Sequence, residues 1–171
     1  MQKLFSGTRG DIYLIDYFGK RAVLKKLRPG KPNTLAKEAA ILKTLDQFAP
    51  KLYDAGYDYI VMEYIEGISL KEAIKKDFKK AILLALRACY YLDKKGIYHK
   101  ELGRWHHFIY DHKISGVKVI DFERATIRPN PRNLLQFVGF YLRDFDLRQQ
   151  IELYKRDRKK GFEAIIKALD V

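Results

Sequence analysis

The chain has 171 residues, of which 34 are Lys or Arg and 21 are Asp or Glu, a formal charge of +13. That length suits one domain or two small lobes with a core that needs no covalent staple. The single cysteine, Cys89, excludes an intrachain disulfide, and the apolar run Ala81–Leu92 around it is too short to span a bilayer and carries Arg87. Cys89 therefore reads as a core residue. Residues 1–6 lack the apolar stretch of a secretory signal, so a reduced, cytoplasmic protein without a membrane partner is expected. So basic a surface suits phosphate-bearing partners such as nucleotides, RNA or a ribonucleoprotein. A solvated lysine-rich surface would give the same count.

In chain order, residues 1–26 look like a β-meander, with Ile12, Leu14 and Val23 at strand-like positions and turns at Gly7, Gly10 and Gly19. Gly30 and Pro32 precede a helix over about residues 33–45, in which Leu35, Ala39, Leu42 and Leu45 keep helical spacing. Short strands are expected near 51–53 and 59–64 around Gly56, and Gly67 breaks the chain. Ser69, followed three residues on by Glu72, forms a capping box that starts a helix. A long apolar helix then runs over about 79–95 and stops at Gly96. The stretch 96–123 holds Glu101 and Asp121 at loop or strand boundaries on either side of the apolar run Phe108–Tyr110. A hairpin there can bring both carboxylates into one pocket. Pro129 and Pro131 bound a helix through about Leu142, and Leu147, Ile151 and Tyr154 keep the period in another. Gly161 is expected to separate that helix from a last one, with the basic run Arg156–Lys160 as a solvated helix end or an RNA contact. Strands with one helix, then mostly helices, predict an α+β chain. A small β-rich N-lobe over 1–67 would join a reduced helical C-lobe over 68–171 near Gly67, with a ligand cleft between them.

Several stretches resemble motifs of the protein kinase family. Phe5–Ile12 resembles the glycine-rich loop, with Gly7, Gly10 and Ile12 at its second, third and final marked positions and Phe5 in place of the first glycine. On their own, two glycines in a hairpin are ordinarily a turn. Ala22–Lys25 resembles the strand whose lysine holds the α- and β-phosphates, which implies a phosphate role for Lys25 with Glu38, one helix later, as its carboxylate partner. Lys26 competes with Lys25, but strand alternation sends the two to opposite faces and the register selects Lys25. Val61–Gly67 resembles the hinge. That implies Met62 guarding the back pocket, with the Glu63 carbonyl and the Ile65 N–H meeting adenine near Ala22.

His99–Leu102 resembles the catalytic loop and Asp121–Glu123 the metal loop. Glu101 then stands for the aspartate that orients the attacking hydroxyl and accepts its proton, on a stem one methylene longer. Asp121 is implied to hold the metal. The family's second metal ligand, an asparagine, corresponds to His106, or to His107 if the loop is one residue longer; imidazole suits transition metals better than Mg²⁺. Glu123 replaces a glycine and would add a carboxylate near the metal or pair with Arg124. Only a few residues separate Glu123 from Pro131, which leaves no room for a regulated activation segment.

The chain over about 5–136 is most similar to an archaeal family of predicted Ser/Thr protein kinases, and its compactness resembles RIO kinases and the small kinase of the KEOPS tRNA-modifying complex. The resemblance implies a bilobal fold binding ATP and Mg²⁺ or Mn²⁺, and transfer of the γ-phosphate to a protein Ser/Thr hydroxyl, its own included. Two other readings stand beside it. One is a nucleotide-binding scaffold that has lost catalysis, suggested by Glu101, His106 and Glu123. The other is a phosphotransferase acting on an RNA-associated or small-molecule acceptor, suggested by the charge.

Overall fold

The computed structural model describes residues 1–7 and 9–171. Strands β1 (Gln2–Ser6), β2 (Gly10–Tyr17), β3 (Lys20–Leu27), β4 (Leu52–Ala55) and β5 (Tyr59–Glu63) form one antiparallel sheet in the order β1-β2-β3-β5-β4. The β1–β2 turn crowds β3. A Cβ at Gly10 would lie 2.4 Å from the Lys26 carbonyl oxygen, so this position requires glycine. Helix α1 (Leu35–Thr44) packs on β4 and β5. Its buried stripe is Leu35, Glu38, Ala39, Ile41 and Leu42, so the helical period carries a carboxylate inward with the apolar residues. A carboxylate at that depth demands a partner.

The remaining chain is mostly helical. After β6 (Ile68–Ser69), Ser69 caps α2 (Leu70–Lys76): its hydroxyl accepts from the Glu72 N–H, and the Glu72 carboxylate accepts from the Ser69 N–H. Helix α3 (Phe78–Lys95) is capped by Asp77 and ends at Gly96, whose φ of 72° closes it in the left-handed region. Ala81, Ile82, Ala85, Leu86, Cys89 and Leu92 form its buried face, and burial pushes the Cys89 thiol well up, which makes it an inert core group. Strands β7 (Ile97–Tyr98), β8 (Phe108–Tyr110), β9 (Val117–Val119) and β10 (Thr126–Ile127) follow; β8 pairs with β6 and β9, and β10 with β7. The apolar hairpin between the two acidic residues is thus β8–β9. Helices α4 (Asn133–Tyr141), α5 (Arg148–Arg156) and α6 (Arg158–Leu169) complete the chain. Among the described residues no helix is long and apolar enough to cross a membrane.

One boundary differs from the sequence expectation. Gly161 does not separate the last two helices; it lies inside α6. The break is Asp157, in extended backbone, whose side chain accepts from the Lys160 N–H at 3.1 Å. The run Arg156–Lys160 is therefore a helix junction, and its Arg158 donates to the Asp93 carbonyl. Gly161 is there for contact: a Cβ on it would lie 2.2 Å from Tyr154 Cα and 2.3 Å from Tyr154 N. Alanine would gain about 1 kcal/mol of helix propensity, but forcing α5 and α6 apart costs about 1–3 kcal/mol. Gly161→Ala is expected to lower stability in urea unfolding, and an unchanged or raised midpoint would contradict this packing.

Candidate active site

The partner that Glu38 demands is Lys25. Its Nζ donates to Glu38 Oε1 at 2.7 Å and to Oε2 at 3.1 Å, with the Lys25 side chain 13% and the Glu38 side chain 1% exposed. Strand alternation turns Lys25 inward and helix phase turns Glu38 to meet it. Burial alone would push the lysine down; the Glu38 and Asp121 carboxylates outweigh that and hold it protonated. Asp121 Oδ1 lies 3.9 Å from the same ammonium, too far for a hydrogen bond.

Asp121 follows β9 with φ of 64°, and Lys100, just before Glu101, has φ of 75°. Both are non-glycine residues in the left-handed region, a strain of order 1–3 kcal/mol each that clusters at functional sites. His99 holds these two turns together. Its Nε2 donates to the Ile120 carbonyl at 2.9 Å, and its Nδ1 accepts from the Glu101 N–H at 3.2 Å. Burial depresses this imidazole to about 4, so it is a neutral crosslink between the loops.

His107, not His106, faces Asp121. The 3₁₀ turn Trp105–His107 buries the second histidine and leaves the first exposed, so of the two alternatives His107 is the one set beside Asp121, while His106 lines the cavity. His107 Nδ1 lies 2.9 Å from the Glu101 carbonyl, and its Nε2 lies 3.5 Å from Asp121 Oδ2. Because a carbonyl only accepts, Nδ1 carries the hydrogen. Nε2 is then the ring atom that faces the Asp121 carboxylate, across a gap that a proton on Nε2 or a metal cation would bridge. Asp121 Oδ1 is buried with no hydrogen-bond partner. Burial pushes the Asp121 carboxyl up, but the His107 ring and the Lys25 ammonium outweigh it and hold it well below the usual carboxylate range. Glu101, His107 and Asp121 each offer one ligand atom, all within 4.8 Å of one another. The residues present therefore fit a divalent cation.

Of the two alternatives for Glu123, a carboxylate near the metal or a pair with Arg124, the contacts it makes are not with Arg124. Its Oε1 accepts from Thr34 Oγ1 at 2.7 Å and from Arg9 Nη1 at 3.4 Å, tying the β1–β2 turn and the start of α1 to the segment after Asp121. It also lies within reach of Glu38 and Asp121 as a potential ligand.

A cavity of about 410 Å³ opens among these groups. Gly7, Gly10, Ile12 and Lys25 line it from the sheet, and Glu101, His106, His107, Asp121 and Glu123 from the opposite side. Ala22, Met62, Glu63 and Ile65 do not line it. Ala22 and Met62 are packed at 0% and 5% exposure, and the Glu63 carboxylate is taken by Lys118 Nζ at 3.0 Å. The cavity thus gathers the residues expected at the phosphates and the metal, and the expected adenine-contacting residues fall outside it.

Behind it lies a polar cluster that sequence reading missed. The Asp93 carboxylate accepts from Asn133 N, Asn133 Nδ2, Leu134 N and Tyr154 OH, at 2.7, 2.8, 3.2 and 2.6 Å. Asn133 Oδ1 accepts in turn from the His99 N–H at 3.0 Å. The available signal was helical phase: Asp93 falls four residues after Cys89 on the buried stripe of α3.

An N-terminal antiparallel sheet with one helix, set on a helical half with the cavity between, is a small bilobal kinase-like fold. Sequence comparison points the same way. Over 126 residues the chain is 32% identical to Serine/threonine-protein kinase D of Synechocystis sp. (strain ATCC 27184 / PCC 6803 / Kazusa), covering 60% of this chain and 25% of that protein. Over 72 residues it is 33% identical to the Putative serine/threonine-protein kinase YrzF of Bacillus subtilis (strain 168), covering 41% of this chain and 34% of that protein. The chain spans a quarter to a third of the length of these curated relatives. No protein-family model matches it. The chain is related, distantly, to Ser/Thr protein kinases.

Proposed function

We propose that this chain is a compact, atypical protein kinase that transfers the γ-phosphate of ATP to a Ser or Thr hydroxyl. The observation that carries the reading is the buried Lys25–Glu38 pair with Asp121 beside it, at the floor of a cavity that also holds Glu101. Lys25 holds phosphate, Asp121 and His107 would hold a divalent cation, and Glu101 orients the hydroxyl. In the transfer, the acceptor oxygen bonds to the γ-phosphorus, the bond from that phosphorus to the β–γ bridging oxygen breaks, ADP leaves, and the hydroxyl proton passes to Glu101. A divalent cation held there would supply neutralisation of the charge that develops on the phosphate oxygens. The short connection from Glu123 to α4 supports placing the chain beside the compact RIO and KEOPS-type kinases, and the absence of a spanning helix among the described residues accords with a cytoplasmic setting.

The test is a γ-phosphate transfer assay on purified protein with ATP, run separately in Mg²⁺ and Mn²⁺. His107 offers imidazole nitrogen, which Mn²⁺ accepts more readily than Mg²⁺, so transfer is expected to favour Mn²⁺ by about tenfold. His107→Asn is expected to reverse the preference. A Mn²⁺ preference untouched by His107→Asn would remove the histidine from the metal site and turn attention to Glu123. Nucleotide binding without turnover in either metal would replace the enzyme by a nucleotide-binding module.

A further inference from the structure

We propose that the acceptor is an acidic segment, a Ser or Thr flanked by Asp, Glu or phosphorylated residues, recognised by Arg104 and Arg124. This inference rests on the kinase reading of the site and names the substrate class that reading leaves open.

Two guanidinium groups stand close to the group assigned to orient the hydroxyl. Arg104 Nε lies 3.6 Å, and Arg124 Nε 3.9 Å, from the same oxygen, Glu101 Oε1. Both arginines line the cavity. Glu101 itself is 15% exposed, whereas the two arginine side chains are 60% and 61% exposed. A hydroxyl that reaches Glu101 through the cavity therefore comes close to two exposed cations.

Their attachment is firm although their ends are free. Arg104 sits on the turn closed by its own N–H to the Glu101 carbonyl at 3.3 Å and by the His107 N–H to its carbonyl at 3.0 Å. Arg124 sits on the turn closed by the Ala125 N–H to the Phe122 carbonyl at 3.0 Å. The apolar anchors of these turns, Leu102, Phe122 and Ala125, are fully buried. Both contacts with Glu101 run through Nε at distances beyond a hydrogen bond, and among the described residues neither guanidinium donates a side-chain hydrogen bond. The terminal Nη groups remain open to an incoming oxyanion.

Stability does not account for the arrangement, because contacts beyond hydrogen-bond reach from guanidinium groups that are 60% and 61% exposed contribute little. Recognition does. The planar fork of arginine matches carboxylate and phosphate oxygens, and a basic flank on the acceptor would be repelled beside the hydroxyl. The formal charge of +13 adds long-range attraction for an acidic chain.

The experiment compares two peptides with one identical Ser/Thr core, one flanked by Glu and one by Lys, phosphorylated by wild-type protein, Arg104→Gln, Arg124→Gln and the double variant. An RNA oligonucleotide serves as a third acceptor, and nucleotide binding is measured alongside. Wild type is expected to prefer the Glu peptide by at least about tenfold in kcat/KM, each single variant to lose part of that ratio, and the double variant to bring it within about twofold, mainly through KM. The ratio within each variant cancels general loss of activity. Equal rates for the two peptides, or a preference surviving in the double variant, would overturn the inference while leaving the kinase reading in place. Transfer to RNA and to neither peptide would overturn the acidic-segment assignment. Absence of both nucleotide binding and transfer would remove the kinase reading, and this inference with it.

Discussion

Asp121→Asn is expected to lower phosphoryl transfer by about 10²–10³-fold while leaving the fold intact. Asparagine keeps the shape of the side chain and tolerates the left-handed backbone that φ of 64° imposes here. What it removes is charge. The buried Oδ1 without a hydrogen-bond partner and the Oδ2 facing His107 Nε2 become a weaker ligand set for a cation. Lys25 keeps its two hydrogen bonds to Glu38, so the lysine has a reason to stay in place. The effect should therefore appear in metal-dependent nucleotide affinity and in turnover, with the melting temperature little changed. Calorimetric titration of ATP with and without Mn²⁺ separates the two contributions. If wild type and Asp121→Asn bind metal–nucleotide with equal affinity, Asp121 is not the metal holder and the assignment of the cavity fails.

The Lys25–Glu38 contact was legible in the sequence because two independent periodicities point into one space. Alternation along β3 chooses Lys25 over Lys26, and the 3.6-residue period of α1 puts Glu38 on the stripe of Leu35, Ala39 and Leu42. The histidine register was not legible. It depends on whether the chain between Glu101 and β8 takes one more residue in a 3₁₀ turn, and spacing alone does not fix a turn of three residues. Gly161 misled for a related reason. A glycine in a helical pattern signals a break when only local propensity is weighed, whereas here close approach of two helices set the choice. In the sequence Arg124 is only a candidate partner for Glu123 and nothing marks Arg104; the fold brings both near one carboxylate oxygen. The hinge strand reads by likeness as a nucleotide-contacting element, yet packing of Ala22 and Met62 leaves that strand outside the described cavity.

The largest loss of stability is expected from Asp93→Ala. Removing the carboxylate leaves Asn133 N, Asn133 Nδ2, Leu134 N and Tyr154 OH without the acceptor they share, at 0% exposure for Asn133 and 2% for Tyr154. Deleting the acceptor shared by these uncharged donors leaves buried polar groups unsatisfied, a loss of about 3–5 kcal/mol in all. One opposing effect sets where in that range the loss falls. Burial raises the Asp93 carboxyl despite its four donors, so the ionised group is itself costly to bury and part of that cost returns when it goes. The expected loss is therefore near the lower end, about 3 kcal/mol. Tyr154→Phe removes one donor and its bond together and should cost only about 1 kcal/mol. The damage should also reach the site, because Asn133 holds the His99 N–H and His99 bridges the Ile120 carbonyl and the Glu101 N–H. Urea unfolding of the single variants and of the Asp93→Ala/Tyr154→Phe pair measures both the losses and their coupling. In the double variant the tyrosine hydroxyl is no longer stranded, so the pair should destabilise by less than the sum of the singles. Additive losses, or a loss below about 1 kcal/mol for Asp93→Ala, would mean that the cluster is not the buried brace of the catalytic loop.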